Sequence, residues 1–325
     1  MMEKEHPQPK PYISVQKAIE NPITQKATQK RLTIIKNEIN EIQTLCSNPA
    51  SNGIPQINYK EEATLDDLST KSIFPQSVHG LVKIEKYYDG DLEYGTGIMI
   101  APHIVLTAAH NLYDDNKPLR NKYHRITFLP GINGIEAPFG SHVVKEYYVP
   151  ESYIKHETQG EDEEPPLEDY GIMILEEPIG ALTGYFGLHV AERDQLKDKE
   201  TELVGYSTDE AEKEEDLRMS GTRGKIFTFE EKRGFINYKL PTCSGQSGSG
   251  VFYRAGEDEY YVIGVHALQR KGFSTAMWIT KERFQQISLW IRNTEQKLIN
   301  EVSEGDYSGV EDPSLKGSEV KGETI

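Results

Sequence analysis

Cysteine is scarce in this 325-residue chain: there are two, Cys46 and Cys243. Two cysteines cannot build a disulfide framework, and leave at most one long-range bridge between themselves. Positive charge is in deficit as well. Against 36 Lys and Arg stand 52 Asp and Glu, a formal net charge of -16. Phosphate binding needs clustered Lys and Arg, so nucleic acid and anionic membrane are disfavoured as partners. Long apolar runs are missing too, and no stretch approaches the roughly 18 residues of a membrane-spanning helix. The opening Met1–Tyr12 is polar and contains proline, without the apolar core of an export signal. As written, the chain is expected to be soluble, intracellular and monomeric.

What is present is organised in three parts. Residues 1–70 read as an extension. Its first 22 residues look extended and mobile. Within 24–46, Leu32, Ile35, Ile39, Ile42 and Cys46 fall at spacings of 3 and 4, one face of a helix. That helix could pack on the main domain, belong to a pro-segment or mediate oligomerisation. Residues 47–70 are rich in turn formers and acids and read as a linker. From 71 to 300 short strand patterns dominate, separated by Gly, Pro, Asn and Asp: 79–87, 94–100, 104–107, 125–129, 141–148 and 172–175, then 202–206, 224–229, 235–238, 250–253 and 260–265. This density indicates an all-β barrel or sandwich, and two halves of similar texture suggest two small barrels. In 281–300, Phe284, Ile287, Trp290, Ile291 and Leu298 lie at helical spacing, so a closing helix is expected. Residues 301–325 read as a disordered acidic tail.

Three segments carry chemistry. Gly245-Gln246-Ser247-Gly248-Ser249-Gly250 holds a serine in a glycine-rich turn, where backbone N–H groups can face an oxyanion. A serine hydroxyl is a poor nucleophile near neutrality and needs a base with an orienting partner. Val105-Leu106-Thr107-Ala108-Ala109-His110 runs a strand into small residues and then a histidine. Asp169 stands before Tyr170-Gly171 and the apolar run Ile172–Leu175, where a carboxylate would be desolvated and held. Glu168 is the competing carboxylate. The order His, Asp, Ser is that of one known triad topology. A lone glycine-rich turn would mean little; the three segments together point to nucleophilic catalysis.

These segments resemble the three signatures of chymotrypsin-fold serine proteases, and finer details resemble the V8-like glutamyl endopeptidase branch. Gly95-Thr96-Gly97, Pro138-Phe139-Gly140, Glu177-Pro178-Ile179-Gly180, Gly184-Tyr185-Phe186-Gly187 and Gly264-Val265-His266 all match segments of that family. The resemblance covers about Val78 to Leu298. It implies two six-stranded antiparallel β-barrels with a C-terminal helix, here preceded by an N-terminal helical extension. It implies an endopeptidase acting on protein or peptide substrates through an acyl-enzyme, with no cofactor and no metal. Ser247 would be the nucleophile, His110 the general base and acid, and Asp169 the orienter of the imidazole. The N–H groups of Gly245 and Ser247 would form the oxyanion hole. Thr242 and His266 match the positions that contact a substrate glutamate in the primary pocket. Pro241 stands six residues before Ser247, where the fold places the acid of a Lys/Arg pocket. Two departures from the family pattern are Gly250, where many relatives have proline, and Ala267-Leu268-Gln269, where relatives often have an aromatic and glycines. Leu268 and Gln269 are expected to narrow the pocket. The competing readings are a serine protease of other specificity and an inert protease-fold module that binds partners through its N-terminal helix.

Overall fold

In the computed structural model, residues 66–67, 74–86, 92–113, 124–159, 168–197, 199–209, 211, 216–256, 259–270 and 272–305 are described. The helix expected within 24–46 and the tail beyond 305 lie outside them. By its contacts the chain divides into Pro55–Ile291 and a second unit of Met1–Ile54 with Arg292–Ile325. Of the second unit, only the helical stretch 292–305 is described.

The first half of the larger unit forms β2 (His79–Lys86), β3 (Leu92–Ala101), β4 (Ile104–Thr107), β5 (His124–Pro130), β6 (His142–Tyr148) and β7 (Gly171–Leu175). They close into an antiparallel barrel in the order β2-β3-β4-β7-β6-β5. Strand β7 reads Gly-Ile-Met-Ile-Leu and is buried at every position. Such a strand has apolar neighbours on both faces, so its sequence shows a continuous run instead of alternation. A helix, α1 (Glu151–Gln159), follows β6 where no helix was expected.

The second half supplies β9 (Glu200–Ser207), β10 (Arg218–Glu230), β11 (Phe235–Tyr238), β12 (Gly250–Arg254), β13 (Tyr260–Arg270) and β14 (Phe273–Trp278). These follow the order β10-β11-β14-β13-β12-β9, and pairing of β9 with β10 closes the ring. The long β10 makes closure possible. Its residues Arg218–Lys225 pair with β9 and Ile226–Glu230 with β11. Two short strands attach outside the ring: β1 (Asp66–Asp67) on β10, and β8 (Gly187–Leu188) parallel to β13. The linker expected over 47–70 therefore includes a strand at its end. The short helices α2 (Gly180–Thr183) and α3 (Arg193–Leu196) lie between the halves of the chain.

One apolar cluster runs through both barrels, from Leu81, Ile98, Leu106 and Phe128 to Val204, Phe252, Val265 and Met277. The C-terminal helix α4 (Lys281–Gly305) begins directly after the second barrel. Ile287, Trp290 and Ile291 join the same cluster, as their helical spacing requires. The helix continues to Gly305, five residues into the segment read as tail.

Candidate active site

Strand pairing brings two distant segments to one point. β4 and β7 are antiparallel, with Thr107 opposite Gly171. The residues just after β4 and just before β7 must then lie at the same end of the pair. After Thr107 the chain turns through a short 3-10 helix, Ala109–Asn111, which carries His110. Ala108 and Ala109 are fully buried. Asp169 lies two residues before Gly171. Its Oδ2 accepts from His110 Nδ1 at 2.7 Å, and its Oδ1 accepts from the His110 backbone N–H at 3.0 Å. The Asp169 side chain is 2% exposed and that of His110 37%. A buried carboxylate can only accept, so Nδ1 carries the proton and Nε2 of the neutral ring holds the lone pair.

Glu168 is committed elsewhere. Its carboxylate accepts from Arg283 Nε at 3.2 Å and Nη2 at 3.1 Å, the two-bond geometry a guanidinium favours. Arg283 also donates to the carbonyls of Gly234, Trp278 and Arg233. Beneath the guanidinium lies the Tyr170 ring, with its centroid 5.8 Å from the Arg283 carbon. Burial, with the charge of Glu168, pushes the Tyr170 hydroxyl well above its ordinary range.

The serine turn is pinned to the first barrel. Gly245 and Gly248 have φ of +86° and +90°, conformations costly for any residue with a Cβ. At Gly248 a Cβ would also overlap Thr96 O and Thr107 Oγ1. Two donors hold the Ser247 carbonyl: the Thr96 backbone N–H at 2.8 Å and Asn111 Nδ2 at 2.9 Å. Asn111 directly follows His110, so one side chain links the histidine turn to the serine. Thr96 Oγ1 donates to Gly245 O at 2.8 Å and accepts from the Tyr206 N–H at 3.0 Å. Thr107 Oγ1 donates to Thr96 O at 2.7 Å. Among the described residues the N–H groups of Gly245 and Ser247 have no hydrogen-bond partner. Sequence reading missed Asn111, and it noted Thr96 only within a Gly-Thr-Gly motif; the sole signals were adjacency to His110 and the flanking glycines.

Thr242 and His266 meet the same turn from the second barrel. The Gly248 N–H donates to His266 O, and the His266 N–H donates to Ser249 O, both at 2.8 Å. The His266 ring is almost wholly buried, with Nδ1 2.7 Å from the Tyr238 hydroxyl. Burial lowers its pKa to about 4; the nearby His110 adds to this, while Asp169 and the Thr275 backbone oppose it. His266 is therefore neutral near pH 7. Thr242 Oγ1 is 2.7 Å from Ser274 Oγ. A β-bulge between His266 and Leu268 shifts the register against β14. Leu268 packs against the core, and Gln269 Nε2 donates to Thr242 O at 3.1 Å.

Two cavities, of about 340 and 670 Å³, lie elsewhere; none of His110, Ser247, Thr242 or His266 lines either. Among the described residues no group of three or more His, Cys, Asp and Glu is placed to hold a metal ion.

No family model matches the chain. It is 30% identical over 212 residues to the glutamyl endopeptidase of Bacillus licheniformis, covering 62% of this chain and 60% of that protein. It is 25% identical over 224 residues to a Bacillus subtilis protein named an extracellular metalloprotease, covering 69% and 66%. The chain thus spans less than two thirds of the length of either relative. Among solved structures, a Glu endopeptidase in complex with MPD matches with a TM-score of 0.57 at 20% identity, over 70% of this chain and 97% of that one. The protease Anisep from Arthrobacter nicotinovorans matches with a TM-score of 0.51 at 14% identity, over 67% and 94%. The two-barrel architecture is the chymotrypsin-like fold.

Proposed function

We propose that this chain, a homologue of the glutamyl endopeptidases with a chymotrypsin-like fold, is a serine endopeptidase acting on protein or peptide substrates. The observation that carries the reading is the His110–Asp169 pair beside a serine turn that Thr96 and Asn111 tie to the same barrel end. Ser247 Oγ attacks the scissile carbonyl while His110 Nε2 takes its proton. Asp169 holds the ring in the Nδ1–H tautomer and stabilises the imidazolium. The developing oxyanion accepts from the Gly245 and Ser247 N–H groups, which nothing else among the described residues engages. The tetrahedral intermediate collapses as His110 gives its proton to the leaving amine, leaving an acyl-enzyme. Water, deprotonated by His110, then releases the acid and restores the hydroxyl. A fluorophosphonate probe tests this: Ser247 should be labelled, and Ser247→Ala and His110→Ala should each abolish labelling. Labelling that survives Ser247→Ala would refute the assignment.

The same reading extends to cleavage after glutamate. Thr242 and His266 offer a hydroxyl and an imidazole to a carboxylate, and Pro241 offers no acid for a Lys or Arg side chain. With His266 neutral, its loss should lower kcat/KM for glutamyl substrates by about 1–3 kcal/mol. Matched peptides with Glu, Asp, Gln, Phe or Lys at the scissile position provide the measurement. A preference for Phe or Lys would overturn the pocket assignment.

A further inference from the structure

We propose that Tyr238 fixes the proton of His266 on Nε2, so that the primary pocket presents a hydrogen-bond donor to the substrate carboxylate. The inference rests on the glutamate-pocket reading above and deepens it. Tyr238 ends β11, opposite Ser274 on β14, and its side chain is completely buried. Its hydroxyl lies 2.7 Å from His266 Nδ1, and among the described residues that nitrogen is its one hydrogen-bond partner. The ring planes meet at 52° with centroids 6.0 Å apart, so the phenol approaches the imidazole beside its face and not stacked upon it.

Two polarities fit that distance, and they are not equivalent. If the phenol donates, its only proton is satisfied, Nδ1 accepts, and the neutral ring carries hydrogen on Nε2. If Nδ1 donates, the phenol proton is buried without an acceptor, and an orphaned buried donor is strongly disfavoured. An imidazole nitrogen is also the better acceptor of the two groups, and the phenol the better acid. Both considerations select the first polarity. The ring's remaining nitrogen, Nε2, then bears hydrogen.

Neutrality of both groups makes the polarity persistent. Burial holds the Tyr238 hydroxyl well above 10, and His266 gains a second proton only near 4. Between those limits the pair has one proton on oxygen and one on carbon-flanked Nε2. A glutamate carboxylate accepts from Nε2–H and from a Thr242 hydroxyl at once. A glutamine amide can satisfy only one of two donors with its oxygen and turns N–H groups toward the other. The reversed tautomer would present a lone pair, repelling the carboxylate and accepting from the amide. Tyr238 is thus a positioning residue that acts through His266 and separates Glu from Gln.

The test compares wild type with Tyr238→Phe and His266→Ala on peptides matched except for Glu or Gln at the scissile position. Nitrogen-15 NMR of histidine-labelled Ser247→Ala protein reads the tautomer without self-digestion, with His266→Asn assigning the signal. The expected results are an Nε2–H signal in the parent and a drop of about tenfold in Glu/Gln discrimination in Tyr238→Phe. Fluorophosphonate labelling of Tyr238→Phe should persist. An Nδ1–H signal overturns the proposal, and this holds even if Tyr238→Phe does not fold. Unchanged discrimination in Tyr238→Phe, with discrimination lost in His266→Ala, overturns the proposal while leaving the pocket reading intact. A wild-type enzyme indifferent to Glu and Gln overturns both.

Discussion

Asp169 and Glu168 are adjacent carboxylates with different partners, His110 for one and Arg283 for the other. The Tyr170 N–H donates to Glu168 O at 2.8 Å, a three-residue turn centred on Asp169 from which the two neighbouring carboxylates reach different partners. Asp169→Asn removes an acceptor from Nδ1 and favours the wrong imidazole tautomer; kcat should fall by about 10⁴. Glu168→Gln leaves the Nδ1–H bond in place and should retain activity within about tenfold, the change reflecting Asp169's displaced backbone. Steady-state kinetics on one peptide substrate compares the two, and a larger loss in Glu168→Gln would reverse the assignment. At this scale the sequence could mark His110, Asp169 and Ser247 as chemical types at the ends of strand patterns. The roles of Asn111 and Thr96 were hidden, because their hydrogen bonds to Ser247 and Gly245 span 136 and 149 residues of chain.

Arg283, at the start of α4, ties that helix to the residue before Asp169. Its guanidinium is 4% exposed, while Glu168 is 30% exposed. Five donor contacts satisfy it, two to Glu168 and three to the carbonyls of Arg233, Gly234 and Trp278. Arg283→Met removes the cation, leaves the carboxylate facing an apolar chain and withdraws one donor from each of those carbonyls. Of these, Gly234 O and Trp278 O keep the backbone N–H groups of Trp278 and Thr280. Equilibrium urea unfolding should show a loss on the order of 3 kcal/mol, at the low end for a broken buried pair because Glu168 keeps some solvent. A change under 1 kcal/mol would show that the pair is not holding the helix. Elements were unequally legible. β7 announced itself as an apolar run, but β14, Phe-Ser-Thr-Ala-Met-Trp, was passed over. Its Ser274, Thr275 and Ala276 are buried between β11 and β13. There small polar side chains find partners across the strands, as Thr275 Oγ1 does in donating to Asn237 Oδ1 at 2.7 Å. The N-terminal half of β10 is likewise polar, and becomes a strand because β9 pairs with it.

The barrels share a seam that carries an ionisable group. His79 opens β2 with its ring against Phe186 and Phe252, at 5.5 and 5.3 Å. Its ring is buried with Nδ1 unpaired among the described residues, and burial lowers its pKa from 6.5 to about 3. The unfolded chain takes up a proton at His79 as pH falls below about 6.5, while the folded chain resists until about 3. Stability from this site is therefore complete above 6.5 and declines across that window; His266, lowered to about 4, adds in the same direction. Thermal unfolding from pH 8 to 4 should show the decline, and His79→Phe should flatten it where the larger ring is accommodated, with His79→Leu as the smaller alternative. An unaltered slope in both variants would exclude His79 as its source. The sequence by itself determined the strand-rich texture, the two halves, the closing helix and the chain order of histidine, aspartate and serine, because periodicity, turn residues and small-residue runs are local. Only the tertiary structure decided which carboxylate faces His110, what clamps the serine turn, that His266 is neutral and that Tyr238 sits on its Nδ1. Each of those depends on burial and on partners brought together by barrel closure from distant parts of the chain, and no window of sequence contains both members of such a pair.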